Sequence, residues 1–219
     1  MCTDVVVLNQ FLIAVSCTWI APILAELNGP NVPLELTTEQ ASWFASVNDV
    51  GKLAGPFISP ALLDNIGRKH ALTFATAGYF LSAVLMIFAR DIYILCGARA
   101  IYGVANGVFD VVAPIYTTEN CSPTFRGIIS SVVYLSCSAG LLFGLLIATY
   151  IPYTASTIVI AAMAGFAFSS LYYGTETPYF LVMRGKREKA EESLRWLSGN
   201  ENQVPVSYTH LTLPTIYSV

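Results

Sequence analysis

Four ionisable side chains, Asp49, Lys52, Arg99 and Asp110, stand inside stretches that are otherwise apolar enough to cross a bilayer. Each would cost about 2.5 to 3.5 kcal/mol if left unpaired at the centre of a span, and their charges sum to zero, so mutual neutralisation is the cheapest arrangement. Asp49 and Arg99 lie at a similar depth, roughly 10 Å into their spans at 1.5 Å per residue. The expectation is an Asp49–Arg99 bridge tying the second span to the fourth, with Lys52 and Asp110 as a weaker second pair. Such a set reads either as a structural brace or as a coupling-ion site, since an intramembrane carboxylate can bind and release a proton. A second set of charges, Asp64, Arg68, Lys69, Glu119, Arg126 and Glu176, falls at span ends. Paired across a thin interfacial layer they could latch helix ends together; equally, they could only mark the membrane boundary and set orientation.

The stretch from Arg99 to Gly127 shows how such residues are positioned. Arg99, Gly103, Asn106 or Gly107, and Asp110 share one stripe of a helix, because eleven residues make nearly three turns. Small residues on one face let a neighbouring helix come close, and ionisable groups survive in hydrocarbon only where they point into a bundle or a wet cavity. The helix is therefore expected inside an assembly of helices, along a transport path. In the fifth span Tyr134, Ser138 and Leu141 fall at i, i+4 and i+7, and Trp19 stands on the first. These residues, with Asn106, could line a cavity for a polyhydroxylated solute, hydroxyls to hydrogen-bond and rings to stack on; they also suit plain bundle packing.

Bulk composition agrees with a membrane class. The 219 residues are 55% hydrophobic and 11% charged, against roughly 25% charged in ordinary soluble domains. Mean hydropathy is +0.61. A net charge of -3 gives no support to nucleic-acid binding. The five cysteines, Cys2, Cys17, Cys96, Cys121 and Cys137, show neither CxxC nor His-paired spacing and read as small apolar fillers, with no metal or cofactor implied. His70 and His210 have no nucleophile or metal-ligand partner at a recognisable spacing, which leaves a membrane enzyme poorly supported.

Six stretches reach spanning length at about 20 residues each, 5–27, 43–63, 70–89, 92–117, 128–150 and 155–174. Pro22 is expected to kink the first. Thr38, with Ala41 and Ser42, marks a helix start without a full capping box. The joints after spans 2, 4 and 6 hold Arg68, Lys69, Arg126, Arg184, Lys186, Arg187, Lys189 and Arg195, whereas those after spans 1, 3 and 5 hold Arg90. By the positive-inside rule the even joints and both chain ends are cytoplasmic. Asn120-Cys121-Ser122 then lies on the cytoplasmic side and is expected to be unmodified. The chain divides into a six-helix region, 1–175, and a segment, 176–200, in which Ala190, Leu194 and Leu197 recur at helical spacing as an amphipathic helix against the cytoplasmic face. The tail, 201–219, resembles translated adapter read-through and is set apart from the fold.

Four motifs, in order, resemble the amino-terminal half of a sugar porter of the major facilitator superfamily. They are Leu63-Asp64-Asn65-Ile66-Gly67-Arg68-Lys69; Arg99-x3-Gly103-x3-Gly107; Pro114-Ile115-Tyr116-x2-Glu119 with Arg126-Gly127; and Glu176-Thr177-Pro178-x-Phe180-Leu181. The approach to span 2, LTTEQASWFAS, leans toward the insect trehalose-transporter-like branch. The resemblance implies an all-α integral membrane fold, six transmembrane helices forming half of a twelve-helix carrier plus a cytoplasmic helix. It also implies transport of a small sugar, a hexose or a disaccharide such as trehalose, by alternating access in the plasma membrane. Asp64, Gly67, Arg68, Lys69, Glu119, Arg126 and Glu176 would then form a cytoplasmic gate. The partners implied are membrane lipid, the sugar and a missing carboxy-terminal six-helix half. Pro60, Asn65 and Tyr179 depart from the family pattern, and Tyr134 stands where sugar porters usually place a sugar-contacting Gln. The interior of span 1 lacks the carboxylate that proton-coupled sugar porters often keep, which favours facilitative transport. The other reading is a non-transporting six-helix membrane protein that pairs with or regulates another.

Overall fold

The computed structural model describes residues 2–18, 37–89, 91–121, 125–171, 174–186, 188–190 and 192–193. All regular structure among them is helical. The helices are α1 (Cys2–Thr18), α2 (Thr38–Asn65), α3 (Arg68–Phe88), α4 (Ile92–Asn120), α5 (Arg126–Tyr150), α6 (Tyr153–Ser170) and α7 (Pro178–Met183). By length and composition α3, α4 and α5 can each cross a membrane, and shorter apolar helices occupy Asp4–Thr18 and Ala155–Ser170. Trp19, Pro22, Arg90, Leu194, Leu197 and the tail lie outside the described residues, as does Ser122 of the glycosylation triplet.

The start of α2 corrects the expected one. Thr37, not Thr38, is the cap: its hydroxyl accepts from the Gln40 amide, and the Gln40 side chain accepts from the Thr37 amide. This is a full capping box, carried by a Thr-x-x-Gln spacing in the sequence. Pro56 and Pro60 lie within α2 without ending it.

At the centre is α4. Its glycines meet those of α2: a Cβ on Gly103 would collide with the Asn48 carbonyl and Gly51, and a Cβ on Gly107 with the Lys52 carbonyl and Gly55. Pro56 has no amide hydrogen to give the Lys52 carbonyl, so that oxygen faces a neighbour whose missing side chain leaves it room. On another side of α4, the Ser82 hydroxyl of α3 donates to the Ala98 carbonyl at 2.7 Å, and the Tyr79 and Tyr102 rings meet edge-on at 5.0 Å. Leu72, Ala75, Val108, Phe109 and Val112 fill the core between these helices. Around this centre, α1 lies against α5, with Gly140 and Gly144 meeting the carbonyls of Phe11 and Val15. Asn9 of α1 donates to Ser170 of α6 at 3.0 Å.

Outward the surface is apolar. Phe57 is 85% exposed and Leu135 71%, an arrangement a soluble protein avoids and one that lipid or another membrane-embedded surface covers.

Candidate functional site

A cavity of about 480 Å³ opens between α1, α2, α4 and α5. Gln10, Lys52, Asn106, Asp110, Thr117 and Tyr134, together with Ser130, supply its polar lining. Across it Lys52 Nζ and Asp110 Oδ2 stand 2.6 Å apart, each side chain two-fifths exposed or slightly more. Asn106 is buried, and its amide oxygen accepts from the Tyr79 hydroxyl at 3.4 Å. Tyr134 is 75% exposed, which puts its phenol at the open side of the cavity, and Leu141 lines the wall. Ser138 is not in the lining; its hydroxyl donates to the Tyr134 carbonyl at 3.1 Å. Trp19 lies outside the described residues.

The order of the two intramembrane pairs is corrected. No ion pair joins Asp49 to Arg99 among the described residues, whereas Lys52 and Asp110 are in direct contact. The cause is rotation about α2. The face that meets α4 carries Asn48, Gly51, Lys52 and Gly55. Asp49 is turned about 100° from Asn48; it is exposed and accepts from the Asn48 side chain at 3.3 Å. Arg99 points the other way. It is 3% exposed, its guanidinium carbon lies 5.7 Å from the Phe44 ring centre and 5.4 Å from that of Tyr102, and its Nε has no hydrogen-bond partner among the described residues. Ring faces thus take the place of the expected carboxylate.

Gln10 and Thr117 were not foreseen, although both were legible. Gln10 is a rare amide in an apolar span, and Thr117 continues the Asn106, Asp110, Ala113 register by one further turn.

At the end of the bundle where α2 stops and α3 begins, the second set of charges forms a joint. Arg68 Nη2 lies 3.1 Å from Glu119 Oε1 and its Nε donates to the same oxygen at 3.2 Å, linking α3 to the end of α4. Both side chains are largely buried, 10% and 17% exposed. The rings of Tyr179 and Phe180 cover the guanidinium, so the departure from Arg at 179 supplies a stacking face. Glu176 Oε1 accepts from the amides of Arg68 and Lys69, both at 3.0 Å. A carboxylate there satisfies two orphan donors and the positive end of the helix dipole. Its Oε2 lies 3.2 Å from His70 Nδ1. At the close of α2, Arg184 Nη2 donates to the carbonyls of Asp64 and Asn65 at 2.7 and 2.8 Å. Asp64 therefore enters through its backbone, its side chain lying outward, and Arg126 is exposed at the start of α5.

Residues 6–207 match the family described as Sugar (and other) transporter. The chain belongs to that family. Among curated members of the sugar transporter family, it is 31% identical over 180 residues to Solute carrier family 2, facilitated glucose transporter member 8, of Mus musculus, covering 81% of this chain and 38% of that one. It is 24% identical over 183 residues to Facilitated trehalose transporter Tret1 of Bombyx mori, covering 84% and 36%. It therefore spans well under half the length of these relatives. Among solved structures, the proton:xylose symporter XylE bound to 6-bromo-6-deoxy-D-glucose superposes with a TM-score of 0.81 at 20% identity, over 95% of this chain and 51% of that one. A partially occluded, inward-open form of the Escherichia coli xylose transporter gives 0.83, over 99% and 59%. At that identity the likeness is one of fold, and that fold is the all-helical one of a major facilitator sugar transporter.

Proposed function

We propose that this chain is the amino-terminal six-helix half of a carrier that moves a small sugar, a hexose or a disaccharide such as trehalose, by alternating access. The observation that carries this reading is the polar cavity of about 480 Å³ walled by α1, α2, α4 and α5. It presents an amide, a phenol and hydroxyls, the groups that exchange hydrogen bonds with sugar hydroxyls, together with a ring face for the C–H side of a pyranose. In such carriers the solute site lies between two halves that rock about it, and here the open side of the cavity is where a second half would close. Family membership and the relatives' names, glucose and trehalose transporters, supply the substrate class.

In this reading six spans cross the plasma membrane, with both chain ends and the Arg68–Glu119 joint on the cytoplasmic side, and the segment around Ala190 lies along that face. The joint is the inner gate: Arg68, Lys69, Glu119 and Glu176, with Gly67 and the Asp64 carbonyl, hold the ends of α2, α3 and α4 together while the inside is closed, and Arg126, exposed at the start of α5, stands at its edge. Opening separates Arg68 from Glu119. The Lys52–Asp110 pair braces α2 on α4 beside the solute. Transport is facilitative, in keeping with an α1 whose only acidic residue, Asp4, lies in its first turn.

The test is uptake of labelled glucose and trehalose by the full open reading frame in a transport-deficient cell, with and without a pH gradient. Saturable uptake that ignores the gradient is expected. Uptake of neither sugar, or accumulation that collapses with the gradient, overturns the substrate or the facilitative mode respectively.

A further inference from the structure

A second cavity, about 770 Å³, lies at the latch end of the bundle and shares no lining residue with the first. Its walls carry four permanent cations, Lys69, Arg184, Lys186 and Lys189, against two carboxylates, Glu176 and Glu192. The carboxylates offset less than that count suggests. Glu176 is engaged by the amides of Arg68 and Lys69 through one oxygen and by His70 through the other. Arg184 donates to two backbone carbonyls, which are neutral acceptors, so its charge is not cancelled there. Lys186 and Lys189 are exposed on the segment after α7. The remaining wall includes the apolar Ile66 and Phe180.

We propose that this cavity binds an anion bearing clustered phosphomonoesters. Several ammonium and guanidinium groups converging on one concave space favour a ligand of high charge density over a neutral sugar or a single carboxylate, and Lys and Arg both serve phosphate oxygens well. Ile66 and Phe180 offer a surface for the C–H face of a ring that would carry the phosphates. Such a group can come from a lipid headgroup at the membrane surface, where juxtamembrane basic clusters gather anionic lipid, or from a soluble polyphosphate. An occupant ties the segment carrying Lys186 and Lys189 to the ends of α2 and α3, the elements that the Arg68–Glu119 joint also holds. The site does not require the solute reading proposed above, although Lys69 and Glu176 belong to both the cavity wall and the proposed gate.

The test uses the chain in nanodiscs of neutral lipid, titrated with inositol trisphosphate by calorimetry. In parallel, reconstituted protein is measured against phosphatidylcholine vesicles with and without phosphatidylinositol bisphosphate. Saturable one-to-one binding is expected in the soluble titration. The double variant Lys186→Ala, Lys189→Ala should weaken it about 25-fold, at roughly a factor of five per lysine near an anionic ligand, and Glu192→Gln should tighten it. All three side chains are exposed, so these variants keep the fold, and an unchanged circular dichroism spectrum verifies that. A doped-vesicle affinity above that for the free headgroup assigns the lipid as source; equal affinities assign the soluble anion. Absence of saturable binding in both formats, or binding indifferent to the lysine pair and to Glu192, overturns the proposal.

Discussion

Two demands meet at Gly67. Its φ of +94° is open to glycine and rarely to other residues. A Cβ there would also stand 2.7 Å from both Glu176 Oε2 and the Phe180 ring. Gly67→Ala should therefore cost about 1 to 3 kcal/mol through backbone strain and also displace the Glu176 carboxylate from the α3 amides. Thermal unfolding in detergent checks the first effect, and a double-mutant cycle with Glu176→Gln the second: the two losses should overlap, not add. The intramembrane charges give a separate expectation. Lys52→Met and Asp110→Asn should be coupled, by roughly 0.5 to 1 kcal/mol because both side chains are about two-fifths exposed and partly screened. Asp49→Asn should be additive with Arg99→Met. The four charged residues stood out from the sequence because charge in an apolar span needs a partner, but the pairing did not. A helix turned by one residue separates Asn48 from Asp49, and neither composition nor depth fixes which of the two faces α4.

The glycines of α4 behave differently along its length, and the difference is testable. Gly55 and Gly107 sit back to back, with no room for a Cβ on either. Gly97, near the start of α4, has nothing within 4 Å of the place its Cβ would take. Gly55→Ala and Gly107→Ala should force α2 from α4 and cost a few kcal/mol, in the range of overpacking substitutions. Gly97→Ala should stabilise, by about 0.5 to 1 kcal/mol, since it removes backbone freedom from a helix interior at no steric cost. Opposite signs for the same chemical change, read from unfolding of purified protein, separate close packing from helix propensity. The four-residue spacing of Gly103 and Gly107 announced a close contact from sequence alone. Its partner, Gly51 and Gly55, carries the same spacing in α2 and was equally readable. Pro56 and Pro60 follow directly, and α2 runs through both to Asn65.

At the scale of the molecule, hydropathy marks six apolar stretches and the even-joint cluster of Lys and Arg predicts a direction for each; three of the helices are long and apolar enough to cross a membrane among the described residues. The side that closes the cavity could not be read, because no residue of this chain records the face a second half would present. What the chain does offer is an orientation that can be measured. Arg126 and Tyr150 bound α5, both exposed, Tyr150 at 81%. If the basic joints are cytoplasmic, a membrane-impermeant maleimide added to intact cells should label Tyr150→Cys and leave Arg126→Cys untouched until the cells are permeabilised. The background must be free of the five native cysteines, two of which, Cys17 and Cys137, line the polar cavity. Restoring these two one at a time extends the experiment. Water in the cavity should let a small charged thiol reagent reach both. Labelling of Arg126→Cys in intact cells would invert the bundle and place the Arg68–Glu119 joint outside. Failure of the reagent to reach either Cys17 or Cys137 would mean that the cavity is not an aqueous one, leaving the solute no path along α4.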